Sequence, residues 1–310
     1  MSYPNPIQSL LLKGGRHIVL YNSTGLGSNS WKFIRKIDLG DRNHNCQLSQ
    51  HPITDNTHIH CKNKSFFISE TGIDGHFRQM QTEDPSNLPE WHFGGSSFFQ
   101  DVEDMYQAVS RCDKSSGRCK GTTRTMFIYR LNNNWTDYHP SNATVAKWVW
   151  PHREASFIFR QGGFFYLTVS GTAGWEQSKT WYRRAKTLAE LADATEEEVV
   201  MHPSDTSAIK SCGSQFRFFM EAEPGKWLFG GDRYPNDDPI HWNAKYGRHV
   251  MTPVNFMDGV PHVYWKEQFR WDSYNYTSGD YDEHNHNGCG HGPCPKIEEL
   301  NRGFVNEKKK

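Results

Sequence analysis

A few carboxyl, amide, guanidinium and indole groups carry most of the chemistry this chain can offer. Glu154 stands in a stretch where Trp148, Trp150, Phe157 and Phe159 supply apolar surroundings. A carboxyl desolvated in that way holds its proton towards neutral pH and can act as a general acid. The plainer reading of the same residue is a surface glutamate paired with Arg153 or Arg160. Gln215 is a neutral amide and no use as a base, so it reads as a hydrogen-bonding residue at a strand start, suited to a sugar hydroxyl. Trp175, Trp242 and Trp271 can stack on sugar faces, because an indole covers C–H surface and leaves hydroxyls wet. Core packing is the default for each, and Trp175 is the one retained as a ligand contact. Near the C-terminus, His284, His286 and His291 lie among Cys289 and Cys294 in a Gly-rich run. That density suits zinc, but the spacing fits no established finger, and a Cys289–Cys294 disulfide is expected instead. No metal ligand set and no cofactor is expected, and Gly25-Leu26-Gly27 lacks the third glycine and the helix of a phosphate loop.

The elements that must position these groups read as strands. Short runs rich in β-branched and aromatic residues, each bounded by Gly, Asn, Asp or Ser, occur at Arg16–Tyr21, Lys64–Ser69, Met105–Ser110, Met126–Arg130 and Ser156–Phe159. They continue at Gly163–Ser170, Phe216–Glu221, Lys226–Gly230 and Val260–Lys266. Helical periodicity is confined to Thr187–Val199, where Leu188 and Leu191 share a face. Strands without alternating helices indicate an all-β fold. Phe66–Ser69 leading to Gly75-His76-Phe77, and Phe165–Ser170 leading to Gly174-Trp175, repeat one punctuation, as radial repetition would. Blades of roughly 45 to 65 residues give about five or six in a chain of this length, with a pair of β-sandwiches as the rival architecture. Residues 1–272 are read as a single propeller domain and 273–310 as a Cys/His-rich loop with a charged tail.

Composition narrows the function. The chain has 310 residues, with 35 basic and 35 acidic side chains. That neutrality argues against electrostatic binding of nucleic acid. No apolar run approaches the 18 or more residues of a membrane span. Mean hydropathy is −0.80, and 11 Trp, 13 Tyr and 19 Phe supply the burial that scarce Leu, Ile and Val do not. Six of seven cysteines form sequence-local couples, Cys46–Cys61, Cys112–Cys119 and Cys289–Cys294, which suits disulfides in a secreted protein. Five Asn-x-Ser/Thr sequons, at Asn22, Asn63, Asn134, Asn142 and Asn275, point the same way and to a glycoprotein. Met1-Ser2-Tyr3-Pro4 shows no signal peptide, so a leader is read as removed or the copy as incomplete at its start.

Several of these segments resemble one family. His152-Arg153-Glu154-Ala155, the strand Phe164–Ser170, Gly174-Trp175, Gly213-Ser214-Gln215 and Gly230-Gly231-Asp232-Arg233-Tyr234 are similar to segments of the five-bladed β-propeller glycoside hydrolases of family 43, most of all its exo-β-1,3-galactanase-like branch. Phe99-Gln100-Asp101 and Met105-Tyr106-Gln107-Ala108 match its third blade more loosely, and the likeness runs from about residue 95 to 270. The resemblance implies a five-bladed propeller that cleaves β-galactan or arabinan-type glycans by inverting hydrolysis, its inner strands converging on an axial funnel. It makes Glu154 the general acid and Gln215 the residue that positions or activates water, with Arg153, Arg233 and Trp175 on the substrate. The implied partner is an oligo- or polysaccharide bound by a secreted monomer. The sequence departs from the branch where it lacks the carboxylate segments of the first two blades; Asp55, Glu70 and Asp101 are the nearby acids, and each reads as a turn residue. Gly94-Gly95-Ser96-Ser97 replaces an expected aspartate, and Gly174-Trp175-Glu176-Gln177 lacks an expected asparagine. Those departures set a second reading beside the first: a carbohydrate-binding or matrix propeller without the acid/base pair.

Overall fold

The computed structural model describes residues 9–10, 17–23, 31–38, 47–50, 57–61, 64–68, 78–79, 93–112, 124–133, 135, 138–173, 176–202, 204, 210–233 and 248–266. The described residues are almost entirely β-strand and form five sheets that follow one another along the chain. The first holds β1 (Ser9–Leu10), β2 (His17–Ser23) and β3 (Trp31–Asp38). The second holds β4 (Gln47–Gln50), β5 (Thr57–Cys61), β6 (Lys64–Ile68) and β7 (Arg78–Gln79). The third runs β8 (Phe93–Asp101), β9 (Asp104–Cys112), β10 (Arg124–Arg130) and β11 (Thr144–Val149). The fourth runs β12 (Arg153–Gln161), β13 (Phe164–Gly171), β14 (Thr180–Ala185) and β15 (Glu197–Glu198). These four are antiparallel meanders with neighbours in sequence order. The fifth is β17 (Gln215–Glu223), β18 (Lys226–Arg233), β19 (Arg248–Met257) and β20 (Val260–Tyr264), with β16 (Val200–His202) added parallel to β20.

The chain divides into two compact units: Met1–Gly174 with Thr180–Glu198 and Asn243–Lys245, and Trp175–Lys179 with Val199–Trp242 and Tyr246–Lys310. In the first, β13 is buried on both faces from Phe165 to Ser170; its apolar residues fill the core, and the Thr168 and Ser170 hydroxyls donate to the Phe157 and Glu154 carbonyls. Its side chains join Met126, Ile128, Trp150, Ile158 and Leu191 in one core. Between sheets no ladder satisfies the backbone, and buried serines do so instead. Ser156 Oγ donates to the Ala108 carbonyl at 3.0 Å, the Ile158 amide donates to Ser97 Oγ at 3.0 Å, and Ser110 Oγ donates to the Arg153 carbonyl at 2.9 Å. Trp135 plugs the far end of the third sheet against Phe98, Met105 and Leu131, its indole N–H donating to the Glu103 carbonyl at 3.0 Å. In the second unit Phe216, Phe219 and Phe229 pack ring against ring.

All nine strands read from sequence are strands here, with ends shifted by a few residues. The helix expected over Thr187–Val199 is a correction. Only a single 3-10 turn forms, Ala189–Ala192, with Leu188 and Leu191 in the core. Thr187 and Glu190 cap its start reciprocally, Glu190 N–H donating to Thr187 Oγ1 and Thr187 N–H to the Glu190 carboxylate, both at 3.3 Å. It stops because the glutamates that follow are claimed elsewhere: Glu196 by Arg153 and Trp150, Glu197 by the Tyr182 hydroxyl at 2.5 Å. Pro253 disguises β19, since proline inside a strand argues against one. It sits where pairing to β20 ends, at Val254 opposite Val263, and the neighbouring Thr252 hydroxyl takes up the Tyr264 carbonyl.

The three cysteine couples and the His/Cys tail lie outside the described side chains, as does every sequon but the exposed Asn142. Asp55 and Glu70 are likewise outside the described residues, whereas Asp101 ends β8 and pairs with Arg160 at 3.2 Å. Among the described residues no helix is long and apolar enough to cross a membrane.

Candidate active site

Glu154 is the second residue of β12, opposite Ser170 of β13. Its backbone is unusual. His152 and Ala155, on either side, have φ of 58° and 54°, a left-handed conformation that side chains bearing a Cβ rarely adopt. The β12–β13 register slips between Glu154 and Phe157, so a bulge follows directly. Bulges re-aim the side chain beside them and gather at functional sites. Neither expected arginine is the ion-pair partner of Glu154. Arg124, at the start of β10, approaches its Oε2 with Nη2 at 3.3 Å, and the two side chains are only 8% and 13% exposed. Burial pushes the Arg124 pKa down, and the charge of Glu154 opposes that shift. The Nε and Nη1 of Arg124 are buried and have no hydrogen-bond partner.

Arg160 is taken by Asp101, and Arg153 by Glu196. The Arg153 guanidinium lies 3.7 Å over the Trp181 ring, and Glu196 also accepts the Trp150 indole N–H. Arg183 covers Trp148 and Trp150 at 5.3 and 4.8 Å and donates to the Leu191 and Ala192 carbonyls. Arg153, the expected substrate contact, is thus tied into a stitch of arginines, tryptophans and Glu196 joining β11, β12 and β14 to the 3-10 turn.

Gln215 opens β17 and is 8% exposed. Ser211, Cys212 and Gly213, just before it, have φ of 46°, 58° and 69°. This tight turn is closed by Gly213 and Ser214 amides donating to the Lys210 carbonyl at 2.9 and 3.1 Å. It is fastened to the preceding chain by Ser211 Oγ, donating to the Ser178 carbonyl at 2.7 Å, and by the Lys210 amide, donating to the Gln177 side chain at 3.2 Å. A register slip follows between Phe216 and Phe218, so Gln215, like Glu154, begins the first strand of its meander between left-handed backbone and a bulge. Asp232 stands directly opposite on β18, and directly opposed residues share a sheet face. It is 9% exposed and paired with Arg217 at 3.2 Å. Arg233 donates to the Cys212 carbonyl at 2.5 Å and lies 5.0 Å from the Trp265 ring, so this expected substrate contact also braces the turn under Gln215. Trp175 is outside the described residues.

Arg124, beside Glu154, and Asp232, opposite Gln215, are the charged neighbours that sequence reasoning did not single out. Asp232 lay within the Gly-Gly-Asp-Arg-Tyr segment, which was the sequence signal for it, and only the register sets it opposite Gln215. Arg124 precedes the apolar run Met126–Tyr129 by two positions, and nothing local marks it. Chemically, the first unit offers a carboxylate beside guanidinium donors, and the second an amide beside a carboxylate on one sheet face. Both sets match hydroxyl-rich ligands, which donate to the one and accept from the other. Among the described residues no cluster of three or more potential metal ligands occurs.

No protein-family model matches the chain, and no curated protein matches it in sequence. Solved structures do match in fold. An exo-β-1,3-galactanase from Phanerochaete chrysosporium, a glutamate-to-glutamine variant with β-1,3-galactotriose, aligns at 15% identity and a TM-score of 0.59, over 82% of this chain and 56% of its own. An exo-β-1,3-galactanase from Clostridium thermocellum aligns at 17% identity and 0.56, over 81% and 60%. A family 43 β-1,3-galactosidase with galactodeoxynojirimycin aligns at 16% and 0.57, over 86% and 90%. The chain spans well under two thirds of the length of the first two. It has a fold like that of the family 43 glycoside hydrolases, β-1,3-galactanases among them.

Proposed function

We propose that this chain is a five-bladed β-propeller that hydrolyses a β-galactan or arabinan-type glycan with inversion, Glu154 serving as general acid and Gln215 positioning the water. One observation carries the reading. Among the described strands, Glu154 and Gln215, the residues the resemblance makes acid and water-positioner, both lie at or next to a strand start between left-handed backbone and a bulge. Each such non-glycine residue costs of order 1–3 kcal/mol, and strain of that kind persists where a side chain must be aimed. Inverting hydrolysis asks for an acid at the leaving oxygen and an activated water on the opposite face of the sugar. The five successive sheets support five blades, and the exposed sequon at Asn142 supports a secreted, glycosylated protein.

A second reading, a carbohydrate-binding propeller without turnover, is favoured by the Arg124 ion pair. A general acid must carry its proton before giving it up, and a guanidinium neighbour opposes that protonation. The experiment is a turnover and binding assay of wild type and Glu154→Gln on β-1,3-galactan, arabinan and xylan oligosaccharides. Hydrolysis by the wild type, abolished in Glu154→Gln with binding kept, supports the enzyme. Binding without hydrolysis in both supports the module, and an active Glu154→Gln variant overturns the mechanism.

A further inference from the structure

We infer that Ser110 is a positioning residue for the general acid: its hydroxyl holds the Arg153–Glu154 peptide so that the Glu154 carboxyl stays aimed at the scissile bond. The inference rests on the reading of Glu154 as the acid, and it adds what keeps that acid in place. β12 is the edge strand of the fourth sheet, with β13 on one side only. The Thr172 amide donates to the His152 carbonyl at 3.0 Å, and along an antiparallel pair successive residues turn their carbonyls to opposite sides. The Arg153 carbonyl therefore points away from β13, where no strand of its own sheet can take it. Ser110 Oγ, fully buried on β9 of the third sheet, donates to it at 2.9 Å.

The same seam spans the bulge. Ser156 Oγ donates to the Ala108 carbonyl at 3.0 Å, so two bonds leave β9 at Ala108 and Ser110 and meet β12 at Ser156 and Arg153. Glu154 and the left-handed Ala155 lie between those two points. Left-handed backbone at a residue with a Cβ persists only where its surroundings over-determine it, and the Ser110 bond closes the end on which Glu154 stands. Ser110 also shares a sheet face with Arg124. Met126 of β10 is directly opposite Ser110, Arg124 stands two residues before Met126, and both opposed residues and every second residue of a strand lie on one face. One face of the third sheet thus holds the backbone of the dipeptide through Ser110 and its carboxylate through Arg124, the latter at 3.3 Å. Losing the Ser110 bond frees the first anchor and lets the carboxyl swing about the second. A misplacement of about 1 Å costs up to about a hundredfold in rate.

The test is steady-state turnover of β-1,3-galactotriose by the full chain, with thermal melts, for wild type, Ser110→Ala, Ser110→Cys, Thr168→Val and Glu154→Gln. Thr168 is the control for stability alone: it is equally buried, and its hydroxyl donates to the Phe157 carbonyl at 3.2 Å, beyond the bulge. Ser110→Ala should lower kcat about ten- to a hundredfold and leave KM within about twofold, because the displaced group acts in the transition state and does not hold the sugar. Ser110→Cys keeps a weak donor and should fall between Ser110→Ala and wild type. Thr168→Val should melt lower and keep the wild-type kcat. A wild-type kcat in folded Ser110→Ala, a loss carried by KM instead, or an equal kcat loss in Thr168→Val overturns the positioning role, and Glu154→Gln, inactive in the same assay, then leaves the acid reading standing. Wild type without turnover, or an active Glu154→Gln, overturns both. Where Ser110→Ala does not fold, Ser110→Cys decides, and a wild-type kcat in it refutes the proposal.

Discussion

Gly231→Ala tests whether the turn beneath Gln215 is packed as tightly as the structure has it. A Cβ built on Gly231 comes to 2.2 Å from Ser214 Oγ and 2.8 Å from Ser214 Cβ, and ordinary contact begins near 3.4 Å. Ser214 has nowhere to go. It is fully buried, its hydroxyl donates to the Ser211 carbonyl at 2.6 Å, and its carbonyl accepts the Ser178 amide at 3.2 Å. Overpacking a rigid interior costs about 1–3 kcal/mol, and a required movement of about an ångström in a pinned residue puts this site at about 2–3. At about 2–4 °C per kcal/mol for a domain of this size, the thermal midpoint should fall by about 4 to 12 °C. Gly230→Ala is the internal control. Its Cβ meets the end of the Phe218 ring at 2.3 Å, but Phe218 is half-buried and can rotate, so the loss should be smaller. The assay is a thermal melt by circular dichroism of both variants, of Ser214→Gly, and of the double variant Ser214→Gly/Gly231→Ala. Removing the obstructing side chain should recover about 1 kcal/mol or more of coupling energy. A Gly231→Ala midpoint within about 1 °C of wild type, or additive effects in the double variant, would refute the reasoning.

Two further outcomes follow from groups away from the site. Trp135→Ala empties a fully buried position and removes the indole bond to the Glu103 carbonyl, so chemical denaturation should show a loss of about 3–5 kcal/mol. His202 and His262 are hydrogen-bonded at 2.9 Å and both have pKa values lowered from 6.5, by burial in each case and for His202 also by its partner. The unfolded chain therefore binds protons more readily, and stability should be full above about pH 6.5 and fall as pH drops below it. Phenylalanine at both positions should flatten that decline in melts taken across the range; an unchanged slope counts against the pair as its source.

The all-β character was legible because β-branched and aromatic enrichment and punctuation are local properties, and runs such as Phe164–Ser170, closed by Gly171, show both. Strands with mixed sequence were harder. β8 carries Gly94-Gly95 just after its first residue, β14 carries Arg183 and Arg184, and β19 holds Pro253, each contradicting strand propensity until a register slip, a carbonyl pair or the end of a ladder accounts for it. The Thr187–Val199 helix failed for a reason invisible in the segment itself: the partners of Glu196 and Glu197 lie 43 and 15 residues upstream. Glu154 and Gln215 were legible as motif members, and neither left-handed backbone nor bulge is written in their neighbours' types. Arg124 was not legible at all, since a buried arginine and a surface one look alike until the strand beside them is placed.

The parallel strand β16 carries a consequence for how the chain is made. Val200 pairs with His262 and His202 with Tyr264, so three residues that leave the ribosome early have partners some sixty positions later. Until β20 emerges, β16 has no ladder to join, and contacts of such sequence separation close slowly. Synthesis at about 5–20 residues per second makes that interval several seconds, during which Val200 and Met201 stay uncovered unless a chaperone shields them. The outer edge of the fifth sheet is therefore the last piece to be sealed, and a ribosome stalled once Phe229 has left the exit tunnel but before Val260 has would hold a nascent chain whose rings Phe216, Phe219 and Phe229 can pack while that border is still open.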